Sequence, residues 1–120
     1  MADVRVRLGI RRTGKTAWLV DLFEREAPQH NDYIVVVDAR TRGQRTALMA
    51  RLGNPLGTYT LRQVMMMTVS DERPFALYLD EYEYFDDERW AFVMQLRDAS
   101  TNRIRAASTP GPKHTRRLLL

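Results

Sequence analysis

The residues best suited to chemistry lie near the start of the chain, where residues 9–16 have the sequence GIRRTGKT. Two glycines, a lysine and a threonine satisfy the spacing GxxxxGK[ST], with a strand pattern before them and a helix pattern after them. Such a loop can curl around a phosphate with its backbone N–H groups pointing inward, because glycine has no Cβ to obstruct them. The spacing therefore predicts a nucleotide-binding loop made of Gly9, Ile10, Arg11, Arg12, Thr13, Gly14, Lys15 and Thr16.

Four side chains of this loop have specific predicted roles. Lys15 is expected to reach the β and γ phosphates, and the Thr16 hydroxyl is expected to ligate Mg²⁺. Arg11 or Arg12 is a candidate for stabilising transition-state charge, which can raise a phosphoryl-transfer rate by roughly 10³–10⁵. Either arginine could instead point to solvent. ATP and Mg²⁺ are the predicted cofactors.

A second candidate is the segment FALYLDEYEYF at residues 75–85, in which a buried-strand pattern ends in Asp80 and Glu81. Ligands of open α/β sheets bind at the carboxyl ends of the strands. Asp80 is expected to hold the Mg²⁺ through water, and Glu81 to polarise the attacking water as a general base. An Asp-Glu pair at this place could also be an ordinary loop start. Together with the upstream loop it becomes the second half of an ATP site.

Short apolar runs and helical stripes supply the elements that must position these residues. Strands are predicted at 4–8, 33–38, 75–80 and 104–108. Helices are predicted from Thr16 to about Ala27, from about Gly43 to Leu52, after Thr60 as N-cap and after Asp86 as N-cap. This alternation favours an α/β fold with a parallel sheet and right-handed crossovers.

Length and composition limit the classes of protein that the chain can be. Its 120 residues predict one domain spanning 1–120, and the absence of cysteine fits a cytoplasmic protein without disulfides. No apolar stretch approaches a membrane span or an export signal, so no membrane partner is expected. The net charge is +4, with arginine greatly outnumbering lysine. An anionic partner such as nucleic acid is one interpretation, and a solvated mixed-charge surface is the favoured one.

Taken together, GIRRTGKT and LDEYEYF resemble the two nucleotide-binding motifs of P-loop ATPases that carry an additional catalytic glutamate. That group contains AAA-like proteins, RecA-like helicases and viral packaging motors. The resemblance implies a three-layer sandwich with about four to five strands in the order 5-1-4-3-2. In this order the strands predicted at 4–8, 33–38, 75–80 and 104–108 are numbers 1 to 4. The fifth strand, flanking 4–8, is either absent or formed by the terminal RRLLL. It also implies a polar sensor after the last predicted strand, supplied by Ser108 or Thr109 beside Asp80.

Two branches of that group compete. The loop and the aromatic stretch after Glu81 are similar to archaeal-type AAA-like ATPases. Large terminases, which pump DNA into viral capsids, also favour loop arginines and often carry Ser-Thr-Pro before a glycine, as in STPGPKH at 108–114. On the favoured, terminase-like interpretation, Ser108 and Thr109 link nucleotide state to movement, although Thr-Pro-Gly-Pro is also simply a good turn.

The favoured interpretation predicts a minimal ATPase working on double-stranded DNA, as a homo-oligomer or with a partner chain, in the cytoplasm or in a host cytoplasm if viral. Terminases normally add a nuclease domain and an adenine-contacting segment, for which this chain has little room, so a trimmed ATPase core is expected. The alternative is a nucleotide-gated regulatory module with little turnover. A small-molecule kinase is less favoured because of the Asp-Glu pair.

Overall fold

The computed structural model describes residues 1–10, 13–67, 71–111 and 116–119. In these ranges five strands form one all-parallel sheet. The strands are β1 (Asp3–Leu8), β2 (Ile34–Asp38), β3 (Thr58–Tyr59), β4 (Phe75–Asp80) and β5 (Arg103–Ser108). The α-helices are α1 (Lys15–Glu26), α2 (Arg42–Arg51), α3 (Leu61–Met66) and α4 (Asp87–Arg97). Short 3₁₀ helices span Ala27–Asp32 and Tyr82–Tyr84. The predicted α/β class is confirmed.

The sheet is covered on both faces because alternate residues of its central strands point to opposite sides. Val35 and Val37 of β2 pack with α1 and α2, whereas Val36 between them packs with α3 and α4. The same alternation places Tyr78 on the first face and Leu77 on the second. This arrangement is compatible with a three-layer α/β sandwich.

The strand order is β1-β5-β4-β2-β3. The four predicted strands are confirmed, and they lie in the predicted order of 4–8, 104–108, 75–80 and 33–38. Strand β3 was not predicted, because two residues are too short for a periodic signal. No described residue pairs with β1 on its outer side, and the described part of the terminal RRLLL, residues 116–119, is not a strand. Within the described ranges β1 is therefore an edge strand.

Side-chain caps mark the starts of α2, α3 and α4. Thr41 and Thr60 each form a capping box with the residue three positions on, before α2 and α3. Asp86 caps α4 by accepting from the backbone N–H of Arg89 at 2.9 Å. Gly14, which precedes α1, provides no side-chain cap. Among the described residues, no helix has the length and apolar character needed to cross a membrane.

Candidate active site

The loop at residues 9–16 joins β1 to α1 at the carboxyl edge of the sheet. Its start is fixed to β5 by a hydrogen bond from the Gly9 N–H to the Ser108 carbonyl, 3.1 Å long. A Cβ at Gly9 would lie only 2.7 Å from Thr13 Oγ1, which itself donates to the Ile10 carbonyl at 2.8 Å. The first glycine of the motif is therefore required by the close approach of the loop to itself.

Lys15 is folded back over this loop and is only 7% exposed. Its Nζ donates to the Ile10 carbonyl at 2.9 Å rather than to a carboxylate. Gly14, just before it, has φ of +75°, a left-handed conformation that favours glycine. Since Gly14 has no side chain to cap α1, no hydrogen bond from an N-cap side chain satisfies the first N–H groups of this helix. A buried ammonium and an uncapped helix start together form an anion-binding arrangement.

Thr16 and Asp80 meet at the same edge, although they are far apart in sequence. The Thr16 hydroxyl donates to Asp80 Oδ2 at 3.1 Å, joining the start of α1 to the end of β4. Burial raises the pKa of Asp80 above its ordinary value, and the Thr16 hydrogen bond only partly offsets that effect. A hydroxyl and a carboxylate suit Mg²⁺, which is usually bound by one or two protein oxygens plus phosphates and water.

Glu81 follows Asp80 in a left-handed backbone conformation, with φ of +54°. A non-glycine residue in this region stores strain, and such residues cluster at functional sites. Its N–H donates to the Ala107 carbonyl at 2.7 Å, which fixes its position beside β5. Its carboxylate accepts from the Thr109 hydroxyl at 2.7 Å and from the Thr109 N–H at 3.3 Å.

Ser108 and Thr109, the two sensor candidates, have different surroundings. Ser108 is fully buried, donates to the Thr109 carbonyl at 2.8 Å and accepts from the Glu83 N–H at 3.4 Å. In the pairing of β4 with β5, the residue opposite Asp80 is Ala107 and not Ser108. Thr109 contacts Glu81 instead of Asp80. Of the two, Thr109 is thus the one in contact with the carboxylate pair. Arg11 and Arg12 lie outside the described residues.

A cavity of about 300 Å³ lies between the loop and Glu81, with Gly14, Lys15 and Thr16 on one side. Arg51, the last residue of α2, also lines it. Arg51 was not predicted from the sequence, because one arginine among many at a helix C-terminus carries no distinguishing pattern. Packing of α2 beside α1 is what brings it to the site.

No family model and no curated protein matches this chain in sequence. The case for a function therefore depends on the geometry of the site. That geometry places Lys15, the start of α1, Thr16 and Glu81 around one cavity, with Asp80 bonded to the Thr16 hydroxyl. Such a set can bind a polyphosphate with a divalent cation and can position a base beside it.

Proposed function

We propose that the chain binds ATP with Mg²⁺ through residues 9–16 and hydrolyses it. The observation that carries this proposal is the Thr16–Asp80 hydrogen bond at 3.1 Å, which unites the two motifs in one site. Lys15 and the N-terminus of α1 would hold the β and γ phosphates, while Thr16 and Asp80 would hold the cation. Bound Mg²⁺ would neutralise phosphate charge during the reaction. On this proposal the fold is that of a P-loop ATPase.

Glu81 is the proposed general base for the attacking water. Its position next to Asp80 and across a 300 Å³ cavity from Lys15 and Thr16 supports this role. Thr109 orients its carboxylate through two hydrogen-bond donors. Arg51 lines the same cavity and could contact a phosphate. We further propose a terminase-like motor that acts on double-stranded DNA as an oligomer.

Replacement of the proposed base tests hydrolysis directly. Glu81→Gln keeps the size and the Thr109 contact but removes the base, so ATP turnover should fall by roughly 10²–10⁴-fold while nucleotide binding persists. Glu24→Gln, an exposed acid on α1, is the matched control and should leave turnover unchanged. Lys15→Ala should abolish nucleotide binding. Equal turnover by Glu81→Gln and the native chain would refute the proposed role of Glu81.

A nucleotide-gated module with little turnover is a second candidate, and the Thr109–Glu81 contact favours it. A carboxylate whose oxygens already accept from Thr109 is less available to a water. Thr109→Val removes the 2.7 Å hydroxyl contact. Faster turnover by Thr109→Val would support the gated module. Stimulation of the native chain by duplex DNA, with slower turnover by Thr109→Val, would support the motor.

A further inference from the structure

A second and larger cavity, of about 580 Å³, lies at the same edge of the sheet beyond the end of β2. We call it the arginine cleft. It is bordered by the N-terminal turns of α2 and α3 and by the start of α4, and none of its described lining residues belongs to 9–16. Its charged lining residues are Arg40, Arg42, Arg45, Arg62, Arg89, Asp38 and Asp86.

The two aspartates of the arginine cleft are already paired. Arg89 is 8% exposed, and its guanidinium lies 3.4 Å from Asp38 and 3.1 Å from Asp86. Its remaining N–H groups donate to the carbonyls of Ala39 and Arg40. Asp86 also accepts from Arg62 at 2.7 Å. Arg62 and Arg89 therefore neutralise the acidic groups, and their charges are not available to a ligand.

Three arginines of the cleft remain without a carboxylate partner among the described residues. Arg45 donates through Nε to the Val37 carbonyl at 2.7 Å, which fixes its guanidinium at the end of β2. Arg40 lies over the Tyr84 ring at 4.2 Å. Arg42 is exposed at the first position of α2. The cleft thus has a formal excess of three positive charges.

The placement of Arg42 and Arg45 is unfavourable for the helix that carries them. Both lie in the first turns of α2, where the helix dipole disfavours cations, and no acid occupies the first turn. They are three positions apart, so they share one face of the helix and repel each other. A bound anion would relieve both effects, because it would complement the dipole and both guanidinium groups.

We propose that the arginine cleft binds a ligand carrying consecutive phosphate groups. Guanidinium forks make paired hydrogen bonds to phosphate oxygens, and the hydroxyls of Thr41, Thr46 and Thr60 line the same cavity. Such phosphates can come from a free polyphosphate or from a nucleic-acid backbone. The site is additional to the proposed ATP site and does not depend on hydrolysis.

Arg40 connects the cleft to the candidate active site. It also lines a neighbouring cavity of about 430 Å³, together with Glu81, Tyr84 and Thr109. A chain of phosphates long enough to extend past Arg40 would therefore approach Glu81. We expect a polymeric ligand to bind more tightly than a short polyphosphate, because it can use both cavities.

Binding should be measured in the Lys15→Ala background, so that the loop at residues 9–16 does not contribute. The probes are inorganic tripolyphosphate, a short single-stranded DNA and a short duplex DNA. The test variant is Arg42→Gln/Arg45→Gln, and the control Arg5→Gln/Arg25→Gln removes equal charge from exposed positions outside the cleft. The test variant should weaken binding about tenfold or more and lower the salt slope by about two, whereas the control should not.

The three probes distinguish the sources of the phosphate. Binding of tripolyphosphate that the test variant weakens indicates a free ligand, and tighter binding of either DNA indicates a nucleic-acid backbone. No binding of any probe, or equal weakening by test and control variants, would overturn the proposal. Arg42→Gln alone guards against misfolding, since Arg42 is exposed and its side chain forms no hydrogen bond or ion pair with the described part of the chain. If ATP turnover is absent but this pattern holds, only the proposed function fails.

Discussion

Helix α1 has a polar cluster at each end. At its N-terminus, Lys15 donates to a carbonyl and Thr16 to Asp80. At its C-terminus, Glu26 pairs with Arg105, which is 1% exposed and lies 2.8 Å from the Glu26 carboxylate. Arg105 also bonds to the Asp3 carboxylate at 2.9 Å. We call Lys15, Thr16 and Asp80 the sparsely paired cluster. Glu26, Arg105 and Asp3 form the paired cluster at the other end of the helix.

The pKa shifts of the carboxyl groups follow this difference. Burial raises the pKa of Asp80, and the Thr16 hydrogen bond and the charge of Lys15 only partly offset that effect. Burial would also raise the pKa of Glu26, but hydrogen bonds and charge from Arg105 outweigh it and lower that pKa. The Arg105 hydrogen bond likewise lowers the pKa of Asp3. Asp80 is therefore bonded to a hydroxyl and affected by Lys15 through charge alone, whereas Glu26 is bonded directly to a cation.

The largest expected effect comes from breaking the paired cluster. Arg105→Met removes the cation and leaves Glu26 buried without its main partner, so the free energy of unfolding should fall by about 3–5 kcal/mol. Urea denaturation measures this change. Arg25→Met, which breaks an exposed pair with Asp21 on the same helix, is the control and should cost less than about 1 kcal/mol. Equal losses would mean that the two ion pairs stabilise alike.

The opposite change is expected at the sparsely paired cluster. Asp80→Asn keeps an acceptor for Thr16 but removes a buried charge, so stability should rise by up to about 1 kcal/mol. Affinity for Mg²⁺-ATP should fall roughly tenfold or more, because a charged ligand of the cation is lost. Urea denaturation and calorimetric titration measure the two quantities. A loss of stability with unchanged affinity would assign Asp80 a structural role.

Acidification should change the free energy of unfolding in opposite directions at the two clusters. Glu26 and Asp3 have lowered pKa values in the fold, so their stabilisation is present above their unfolded values of 4.5 and 3.8 and is lost as the pH falls through the folded ones. Asp80 has a raised pKa, so its protonation on acidification favours the fold. Denaturation between about pH 7 and pH 2 should show a loss that Arg105→Met reduces and Asp80→Asn increases.

The candidate site could largely be predicted from sequence because its two motifs are local. Glycine spacing marks the loop at residues 9–16, and an apolar run ending in carboxylates marks the end of β4. The N-caps Thr60 and Asp86 were predicted for the same reason, since a cap acts within three residues. The choice between Ser108 and Thr109 was not predictable. It depends on which side chain the end of β5 turns towards Glu81.

The paired cluster and the arginine cleft could not be predicted, because their members come from distant segments. Arg105 and Glu26 are joined only when β5 packs under α1, and nothing in either segment marks the other. Arg45 and Arg89 likewise meet at one cleft, because α2 and α4 lie on opposite faces of the sheet and both begin beside the end of β2. Short β3 and the position of Arg51 are further results of packing.

By itself the sequence determined the α/β class, the four main strands and the N-caps Thr60 and Asp86, and it predicted the candidate site apart from Arg51. These depend on periodicity, on glycine geometry and on caps, which act over a few residues. Tertiary structure alone decided which charges are paired. Whether a buried carboxylate has a guanidinium within hydrogen-bond distance is a property of the packed chain, and among the described residues it separates Glu26 from Asp80.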